Sequence, residues 1–391
     1  MKQITVGIVG GRLQGVEACY LARKAGYQSI LFDKDPLCAA ADLADVFVCA
    51  DLLATDVSED LAACDFILPA MENLAVMEQV AMRAQQLGIP YLYDRAAYHI
   101  SASKRRSNRF FRVHQIPYPR SYPQAKFPVV LKPSGLSGSA GVQKIRNPAQ
   151  LQNVMRGKNW DNYVIQEFLE GPSYSIEVVG DGKTWTPLAV TQILTDGRYD
   201  CCRVVAGAHL PPAVQQQMRA LGTKIGAALH IRGIFDVETI YANGEMHVLE
   251  IDARLPSQTP TAVWHATGIN MLSLLWEMLC GKPVANASSQ ENFVIYQHIA
   301  VCGTQVKILG EHIMAQAGRL QYAEDFFGCP EALTNYRAGR QEWVATLIAR
   351  DGESLQNAER KIERAVQRIQ NHMKDSRDET AVYQPPYKRV V

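Results

Sequence analysis

Glu250-Ile251-Asp252-Ala253-Arg254 is the most informative stretch of this sequence, together with Glu238, which lies twelve residues before its first acid. Strand periodicity places the three charged residues of the stretch on one face, and its apolar residues, with Leu249, on the opposite face. Carboxylates supply the oxygen ligands that Mg²⁺ prefers, and an arginine beside them can hold a phosphoryl group with two hydrogen bonds. The pattern therefore predicts a metal- and phosphate-binding strand; the alternative is a salt-bridge cluster on the surface.

The turn that connects the two acidic strands contains Asn243-Gly244. A two-residue turn at these positions would set Glu238 opposite Leu249 and direct Glu250 to the wrong face. A three-residue loop with a glycine bulge would instead set Glu238 opposite Glu250. The metal-site interpretation therefore predicts the bulged loop.

A nucleotide site is indicated upstream of the acids. An apolar strand ends at Lys132, and a Gly/Ser-rich loop, residues 134–141, follows it. Backbone N–H groups and hydroxyls of such a loop can fold over phosphates, although many loops of this composition are only connections. The strand at 164–169 can offer backbone groups to an adenine edge, with Glu167 accepting from the adenine amino group.

A glycine-rich turn at residues 10–15 follows the first strand and opens a helix. A dinucleotide fingerprint needs glycine at the third position of this turn, where this chain has Arg12, although Asp33 lies where a ribose-binding acid would be. Three interpretations stay open: an NAD site, a tight turn with a solvated arginine, or a cleft where Arg12 and Gln14 hold an anionic or polar ligand. Glu72, beyond a later strand, points to the same sheet edge.

Composition limits the function classes. The chain has 391 residues, and its 40 Lys+Arg against 39 Asp+Glu leave a net charge of +1, which gives no support to a nucleic-acid partner. No apolar run approaches the roughly 18–20 residues that cross a bilayer, and the first residues lack a signal-peptide pattern. The nine cysteines are odd in number and form no CxxC pair, which favours a reducing compartment. We therefore expect a cytoplasmic protein without a membrane partner.

These residues resemble the ATP-grasp superfamily, which combines two lysines, a Gly/Ser lid loop, an adenine hinge and two acids twelve residues apart. The match covers about residues 95–285. The resemblance implies an α/β and α+β protein: a Rossmann-like domain at 1–93, an ATP-grasp domain at 94–290 with a mobile lid at about 120–178, and a small C-terminal domain at 291–391. Alternating strands and helices over 1–93 independently predict a parallel sheet covered on both faces.

A closer resemblance lies in residues 250–263, which look like the pyrrolysine-biosynthesis ligases of this superfamily. It implies ATP-dependent joining of 3-methyl-D-ornithine, through its carboxylate, to the ε-amine of L-lysine by way of an acyl phosphate. The alternative is another ATP-grasp carboxylate–amine ligase acting on a different amino acid or metabolite. A more distant alternative is an NAD-dependent oxidoreductase built on residues 1–93.

The resemblance also assigns roles to individual positions. Arg254 and Lys132 would be catalytic, and two Mg²⁺ ions would bind Glu238, Glu250 and Asp252. The residues implied to bind ATP are Lys104, Lys132, Ser137, Ser139, Gly141, Gln166, Glu167, Phe168 and Leu169. The residues expected to bind the amino-acid substrates, L-lysine and 3-methyl-D-ornithine or D-ornithine, are Arg12, Leu13, Gln14, Glu72, Ser175, Glu177, Asp236, Arg254, Ser257, Thr259 and His298.

Some of these assignments have alternatives. Glu177 could be a solvated residue on an edge strand, and His298 could be a satisfied core histidine. Asp252 stands where the superfamily commonly has asparagine, and Ser173 stands where many members have a ribose-binding glutamate, so the ribose contact is left open. An oligomer is compatible with the sequence.

Overall fold

The computed structural model describes residues 3–207, 210–282 and 292–382, with side chains described up to residue 375. Its N-terminal unit is a four-stranded parallel sheet of order β3-β2-β1-β4, as the alternation of strands and helices predicts. Helix α1 ends at Gly26, which adopts a left-handed conformation (φ 70°) that glycine permits at low cost. The elements are β1 Thr5–Val9, α1 Leu13–Ala25, β2 Gln28–Asp33, β3 Val46–Cys49, α2 Ser58–Ala62, β4 Phe66–Pro69 and α3 Leu74–Leu87.

The apolar residues of Ile89–Tyr93 predict a further strand from the sequence, but this prediction is wrong. This segment makes only an isolated parallel bridge, between Tyr91 and Ile67. Pro90 lies in the middle of the segment and has no backbone N–H to donate to a ladder, although its carbonyl accepts from Ile67 N.

A small antiparallel sheet of order β6-β5-β7 follows two helices. The sequence predicts a single polar helix at 99–114, but the structure has two helices here, because the chain leaves helical geometry at Ser103, which precedes the second helix. The elements are α4 Arg95–Ser101, α5 Lys104–Val113, β5 Val129–Pro133, β6 Gln143–Ile145, α6 Pro148–Met155 and β7 Tyr163–Glu167.

The remaining strands form one ten-stranded sheet, mainly antiparallel, of order β12-β11-β8-β9-β10-β13-β17-β16-β15, with β14 pairing β13. The sheet continues across the proposed boundary at 290/291, because β13 pairs with β10; the boundary itself lies outside the described residues. Its strands are β8 Ser173–Asp181, β9 Trp185–Thr195, β10 Cys201–Ala206, β11 Arg232–Ala242, β12 Glu245–Asp252, β13 Phe293–Cys302, β14 Gln305–Ile308, β15 Gln321–Phe326, β16 Cys329–Thr334 and β17 Glu342–Asp351.

Helices cover this large sheet. The sequence predicts one helix at 261–280, but the structure has two, because Gly268 ends the first in a left-handed conformation and the Asn270 side chain caps the second. The described helices include none with the length and apolarity that crossing a membrane requires. The helices are α7 Pro212–Leu229, α8 Thr259–Thr267, α9 Met271–Leu279, α10 His312–Ala315 and α11 Leu355–Val382. The predicted fold class, α/β and α+β, is confirmed.

Candidate active site

The β11–β12 hairpin begins with a two-residue turn, so the predicted three-residue loop is wrong. Asn243 and Gly244 both have positive φ (55° and 83°), and Ala242 pairs with Glu245. Positive φ at both central residues is the geometry of a tight hairpin turn that matches the twist of the strands. By itself this turn would direct Glu250 away from Glu238.

A bulge further along the hairpin restores the facing pair. Thr239 pairs with Val248, and Glu238 pairs with Glu250, so Leu249 is the extra residue on β12. The bulge also corrects the expectation that Leu249 shares a face with Ile251 and Ala253. Leu249 lines a cavity beside Glu250, whereas Ile251 and Ala253 are buried in the core.

Three adjacent strands, β8, β11 and β12, present polar side chains in two rows across one face of the sheet. The first row is Ser175, Glu238 and Glu250, and the second is Glu177, Asp236 and Asp252. Glu177 has no exposed surface and β8 lies between β9 and β11, so the interpretation of Glu177 as a solvated edge residue is wrong.

This concentration of carboxylates raises the pKa values of its members. Burial, followed by the charges of Glu250 and Asp252, raises the pKa of Glu238. Burial, followed by the charges of Asp252 and Glu238, raises the pKa of Asp236 well above its ordinary value. These carboxyl groups therefore favour the protonated form in the ligand-free protein, and a cation bound at this face would favour their ionisation.

Two lysines stand beside the first row. Lys104 Nζ lies 2.7 Å from Glu250 Oε1 and donates to the backbone oxygen of Leu136 at 2.5 Å. Lys132 is half-buried at the end of β5, where burial lowers its pKa, and both lysines line the same cavity as Glu238 and Glu250. The structure thus brings together the two lysines and two of the acids that the sequence singled out.

Arg254 joins the acids to the N-terminal unit. Its Nη2 lies 3.0 Å from Asp252 Oδ2 and also contacts Glu72 Oε1. Arg254 is 6% exposed, which contradicts the alternative of a surface salt-bridge cluster. Burial opposes the ionised form of Glu72, but the Arg254 charge and the hydrogen bond from Ser137 outweigh it and lower the pKa of Glu72.

Three successive residues of the Gly/Ser loop contact three different parts of the chain. Ser137 Oγ donates to Glu72 Oε2 at 2.6 Å, and Ser139 Oγ donates to the Tyr199 carbonyl at 2.6 Å. A Cβ atom at Gly138 would lie 3.3 Å from the His312 ring, so this glycine allows the loop to approach the C-terminal part of the chain closely. Gly141 adopts φ 74°. The loop is folded over the acidic face.

A cavity of about 400 Å³ lies between this loop, β7 and the hairpin. Glu167 lines it, but the Glu167 carboxylate accepts from Arg120 N at 2.8 Å, so its predicted contact with an adenine amino group competes with Arg120. Gln166 donates to the Pro119 carbonyl. The other predicted nucleotide residues that line the cavity are Lys104, Lys132, Ser139, Phe168 and Leu169.

The glycine turn before α1 is closed by the chain itself. Asp33 Oδ2 accepts from Gly11 N at 2.6 Å, and a Cβ at Gly11 would collide with Cys38 Sγ. Asp33, which the NAD-site interpretation places where a ribose-binding acid would be, is thus hydrogen-bonded to the glycine turn itself. Arg12 is exposed, and Leu13 and Gln14 are half-buried at the start of α1.

The predicted substrate residues of the central sheet are buried and retain free hydrogen-bonding atoms. Ser175 Oγ contacts Glu177 Oε1 at 3.1 Å and Asp236 Oδ2 at 3.3 Å. Among the described residues, Glu177 Oε2 and Asp236 Oδ1 have no hydrogen-bond partner. His298 pairs its Nδ1 with Thr346, while its Nε2 has no partner in the described part of the chain. Buried polar atoms are normally hydrogen-bonded, so a bound ligand or a water molecule would have to supply the partners of these atoms.

Comparison with known proteins decides the family. Residues 101–258 match the ATP-grasp domain family. The chain is 34% identical over 315 residues to the 3-methyl-D-ornithine–L-lysine ligase of Methanosarcina barkeri, which covers 80% of this chain and 84% of that protein. The chain belongs to this ligase family. The ligase of the same name from Methanosarcina mazei is 34% identical over 317 residues, 80% of this chain and 82% of that protein.

The ligase family fold extends to distant structures. A biotin carboxylase from Campylobacter jejuni, solved in complex with an ATP compound, superposes with a TM-score of 0.71 at 12% identity and covers 98% of this chain and 97% of its own. At this identity the likeness concerns the fold alone.

ATP-grasp ligases bind ATP with Mg²⁺, and the donor set of this ligase-family member fits such an ion. No three His, Cys, Asp or Glu side chains converge on one metal position within the described residues. Mg²⁺, however, usually takes only one or two carboxylates, with waters and phosphate oxygens completing its octahedron. Glu238, Glu250 and Asp252 could provide such oxygens, and their mutual repulsion favours a divalent cation.

Sequence reasoning missed two buried acids of the site. Glu311, from the segment before α10, accepts hydrogen bonds from Ser257 and Gln258. Glu17, on α1, accepts from Thr261 N, Thr261 Oγ1 and Tyr296 OH. No local motif marks Glu311. Glu17 carried a signal, because it is an acid within the otherwise mostly apolar stretch 15–22, which predicts a buried partner.

Proposed function

We propose that this protein joins the carboxylate of 3-methyl-D-ornithine to the ε-amine of L-lysine, using ATP with two Mg²⁺ ions and passing through an acyl phosphate. The observation that carries the proposal is the pair of polar rows on β8, β11 and β12. Acids of one row border the cavity together with two lysines, and the other row holds buried carboxylate oxygens that have no partner among the described residues. The names of the related ligases support the choice of the two amino acids.

The nucleotide would occupy the 400 Å³ cavity. Lys104 and Lys132 would hold its phosphates from one side, and the loop 134–141 would cover them from the other, with Ser137, Ser139 and Gly141 close to the phosphate oxygens. The end of β7 would face the base, with backbone groups of 166–169 as its partners. Apolar surface from Leu249 and Ile240, which also line the cavity, supports binding of a flat ring.

Glu238, Glu250 and Asp252 would hold the metal ions, which, when bound, neutralise phosphate charge. Lys104 and Arg254 now pair with two of these acids, so metal binding would require these pairs to loosen. Both basic side chains would then be available to phosphate oxygens.

The reaction needs positioning and charge stabilisation rather than a side-chain nucleophile. An oxygen of the substrate carboxylate attacks the γ-phosphorus, ADP leaves, and an acyl phosphate forms. The lysine ε-amine, as free base, then attacks the acyl carbon; the C–N bond forms, the C–O bond to phosphate breaks, and the amine loses a proton. Lys132 and Arg254 would stabilise the negative charge that develops on the phosphoryl oxygens.

The two substrates are cationic amino acids, which explains the excess of carboxylates. Glu72, Glu177 and Asp236 would accept from their ammonium groups, and Arg12 would bind a substrate carboxylate. The remaining predicted residues, Leu13, Gln14, Ser175, Ser257, Thr259 and His298, would line the pocket.

The test is to incubate the purified protein with Mg·ATP, L-lysine and D-ornithine or its 3-methyl form, and to follow phosphate release together with product mass. We expect lysine-dependent phosphate release and a mass equal to the two amino acids less one water. Turnover only with other amino acids would keep the ATP-grasp activity and reject these substrates. Absence of ATP binding would reject the proposal altogether.

A further inference from the structure

The short link between β12 and α8 contains a strained residue. Gln258 has φ 72° and ψ −51°, and Thr259 N donates to the Ser257 carbonyl at 2.8 Å, which defines a γ-turn with a positive central φ. This turn is rare and strained for residues other than glycine. Gln258 is 4% exposed, so its side chain lies within the protein. Glycine would adopt this backbone conformation at low cost. The presence of glutamine at this position therefore indicates a role for its side chain.

Two buried carboxylates, Glu311 and Glu17, accept hydrogen bonds from residues of the turn and of the helix that follows it. Glu311 Oε2 accepts from Ser257 Oγ at 2.9 Å and from Gln258 Nε2. Glu17 Oε2 accepts from Thr261 N at 3.0 Å and from Thr261 Oγ1 at 2.6 Å, which secures the first turn of α8. These contacts explain how the strained conformation is maintained.

The contact with Glu311 also determines the orientation of the Gln258 amide. A carboxylate oxygen accepts hydrogen bonds, so the amide must turn its NH₂ group towards Glu311 and its oxygen away from it. The amide oxygen, Oε1, is buried and has no hydrogen-bond partner among the described residues. A buried acceptor without a donor is costly, so a donor is expected from a ligand.

The surroundings of the turn show what kind of donor this is. Thr259, the next residue along the chain, lies beside Glu177. Glu177 Oε2 and Asp236 Oδ1 are further buried acceptors that have no partner in the described part of the chain. An ammonium group, with three N–H donors and a positive charge, satisfies several acceptors of this kind at once.

We propose that Gln258 is a specificity-determining residue whose amide oxygen accepts an N–H from the ammonium group of an amino-acid substrate held by Glu177 and Asp236. This inference rests on the proposed function, because it assumes a cationic amino acid in the pocket. The strained backbone is retained because it aims the amide at that group, while Glu311 holds its other end.

The test compares Gln258→Met, which keeps the length of the side chain without the amide, with Gln258→Gly, which removes both the side chain and the backbone strain. We expect both variants to raise the KM for one amino-acid substrate by roughly tenfold or more, as for loss of a hydrogen bond to a charged group. The KM for ATP should stay within about twofold. Gln305→Met, on exposed β14, is the control and should leave all constants unchanged.

Calorimetric titration of each amino acid into the folded variants provides a second readout. Wild-type affinity for both amino acids in Gln258→Met and Gln258→Gly would overturn the inference. A loss of ATP affinity equal to the loss of amino-acid affinity would overturn it as well, because the substitution would then disturb the whole active site rather than remove one contact with the amino acid. If the wild-type protein turns over neither amino acid, the proposed function itself fails, and the assignment of an amine to Gln258 fails with it.

Discussion

Glu238 and Glu250 face each other across β11 and β12 because Leu249 is bulged out of the ladder between them. The tight turn at Asn243-Gly244 alone would have left the two acids out of register by one residue. The bulge therefore serves two purposes: it aligns the carboxylates, and it directs an apolar side chain into the wall of the cavity.

Leu249 is expected to contribute to nucleotide affinity. Leu249→Ala removes part of the apolar wall of the cavity but keeps the backbone bulge. Because Leu249 is only half-buried, we expect a loss of about 1 kcal/mol, or roughly fivefold in the KM for ATP, with the amino-acid KM values unchanged. Leu37→Ala, an exposed leucine of the N-terminal unit, is the control. Equal ATP KM values in the variant and the wild type would contradict this role.

Glu238 is expected to increase kcat but not to stabilise the ligand-free fold. In Glu238→Gln we expect kcat to fall by about a hundredfold or more, because a charged metal ligand is lost. The thermal midpoint without ligands should be no lower than that of the wild type, since burial and neighbouring carboxylates disfavour the ionised side chain. Steady-state kinetics and thermal denaturation measure the two effects.

Glu245→Gln is the matched control for that experiment, because Glu245 lies on β12 of the same hairpin but is exposed beside the turn. It should change neither kcat nor thermal midpoint. A Glu238→Gln variant that keeps wild-type kcat with Mg·ATP would exclude Glu238 from the metal site.

The hydrogen bond from Ser137 to Glu72 is expected to hold the Gly/Ser loop closed. In Ser137→Ala we expect amide hydrogen exchange of residues 134–141 to become roughly threefold to tenfold faster, because one bond to a charged group is lost. Ser137→Thr keeps the hydroxyl and should exchange at the wild-type rate. Identical exchange in all three proteins would mean that other contacts hold the loop.

Glu17 is expected to make stability depend on pH. Burial, partly offset by hydrogen bonds from Thr261 and Tyr296, raises the pKa of Glu17 to about 7 from an ordinary value of 4.5. The folded state thus binds its proton more tightly than the unfolded state, so the contribution of Glu17 is most favourable below pH 4.5 and is lost as the pH rises to 7. The loss amounts to about 3 kcal/mol.

Glu17→Gln removes this ionisation, so the stability of the variant relative to the wild type should rise between pH 4.5 and 7. Denaturant unfolding at several pH values measures the difference. Glu59→Gln, on exposed α2, controls for the loss of a charge. Parallel stability curves for Glu17→Gln and the wild type would show that Glu17 does not titrate in this range.

Local sequence patterns were sufficient to predict helices whose apolar face and end residues are encoded within the helix and its immediate flanks. The sequence predicts helices at about 74–87 and at 212–229, and the bounds of α3 and α7 agree with these predictions, because apolar periodicity and the flanking residues act within a few positions. Strand periodicity identified Glu250, Asp252 and Arg254 as one charged face, and the apolar strand before the Gly/Ser loop identified Lys132. Lys104 was assigned by the ATP-grasp resemblance that these residues carry.

Only the tertiary structure decided how these parts meet. The bulge at Leu249 depends on pairing with another strand, and Glu311 reaches Gln258 from 53 positions along the chain. Glu17 meets Thr261 from a different unit of the fold, 244 positions away. Contacts of this kind are set by the packing of distant segments against one another, and no short stretch of sequence contains both partners. The sequence by itself determined the chemistry available to the site; packing determined which buried carboxylates share it and which atoms remain free for a ligand.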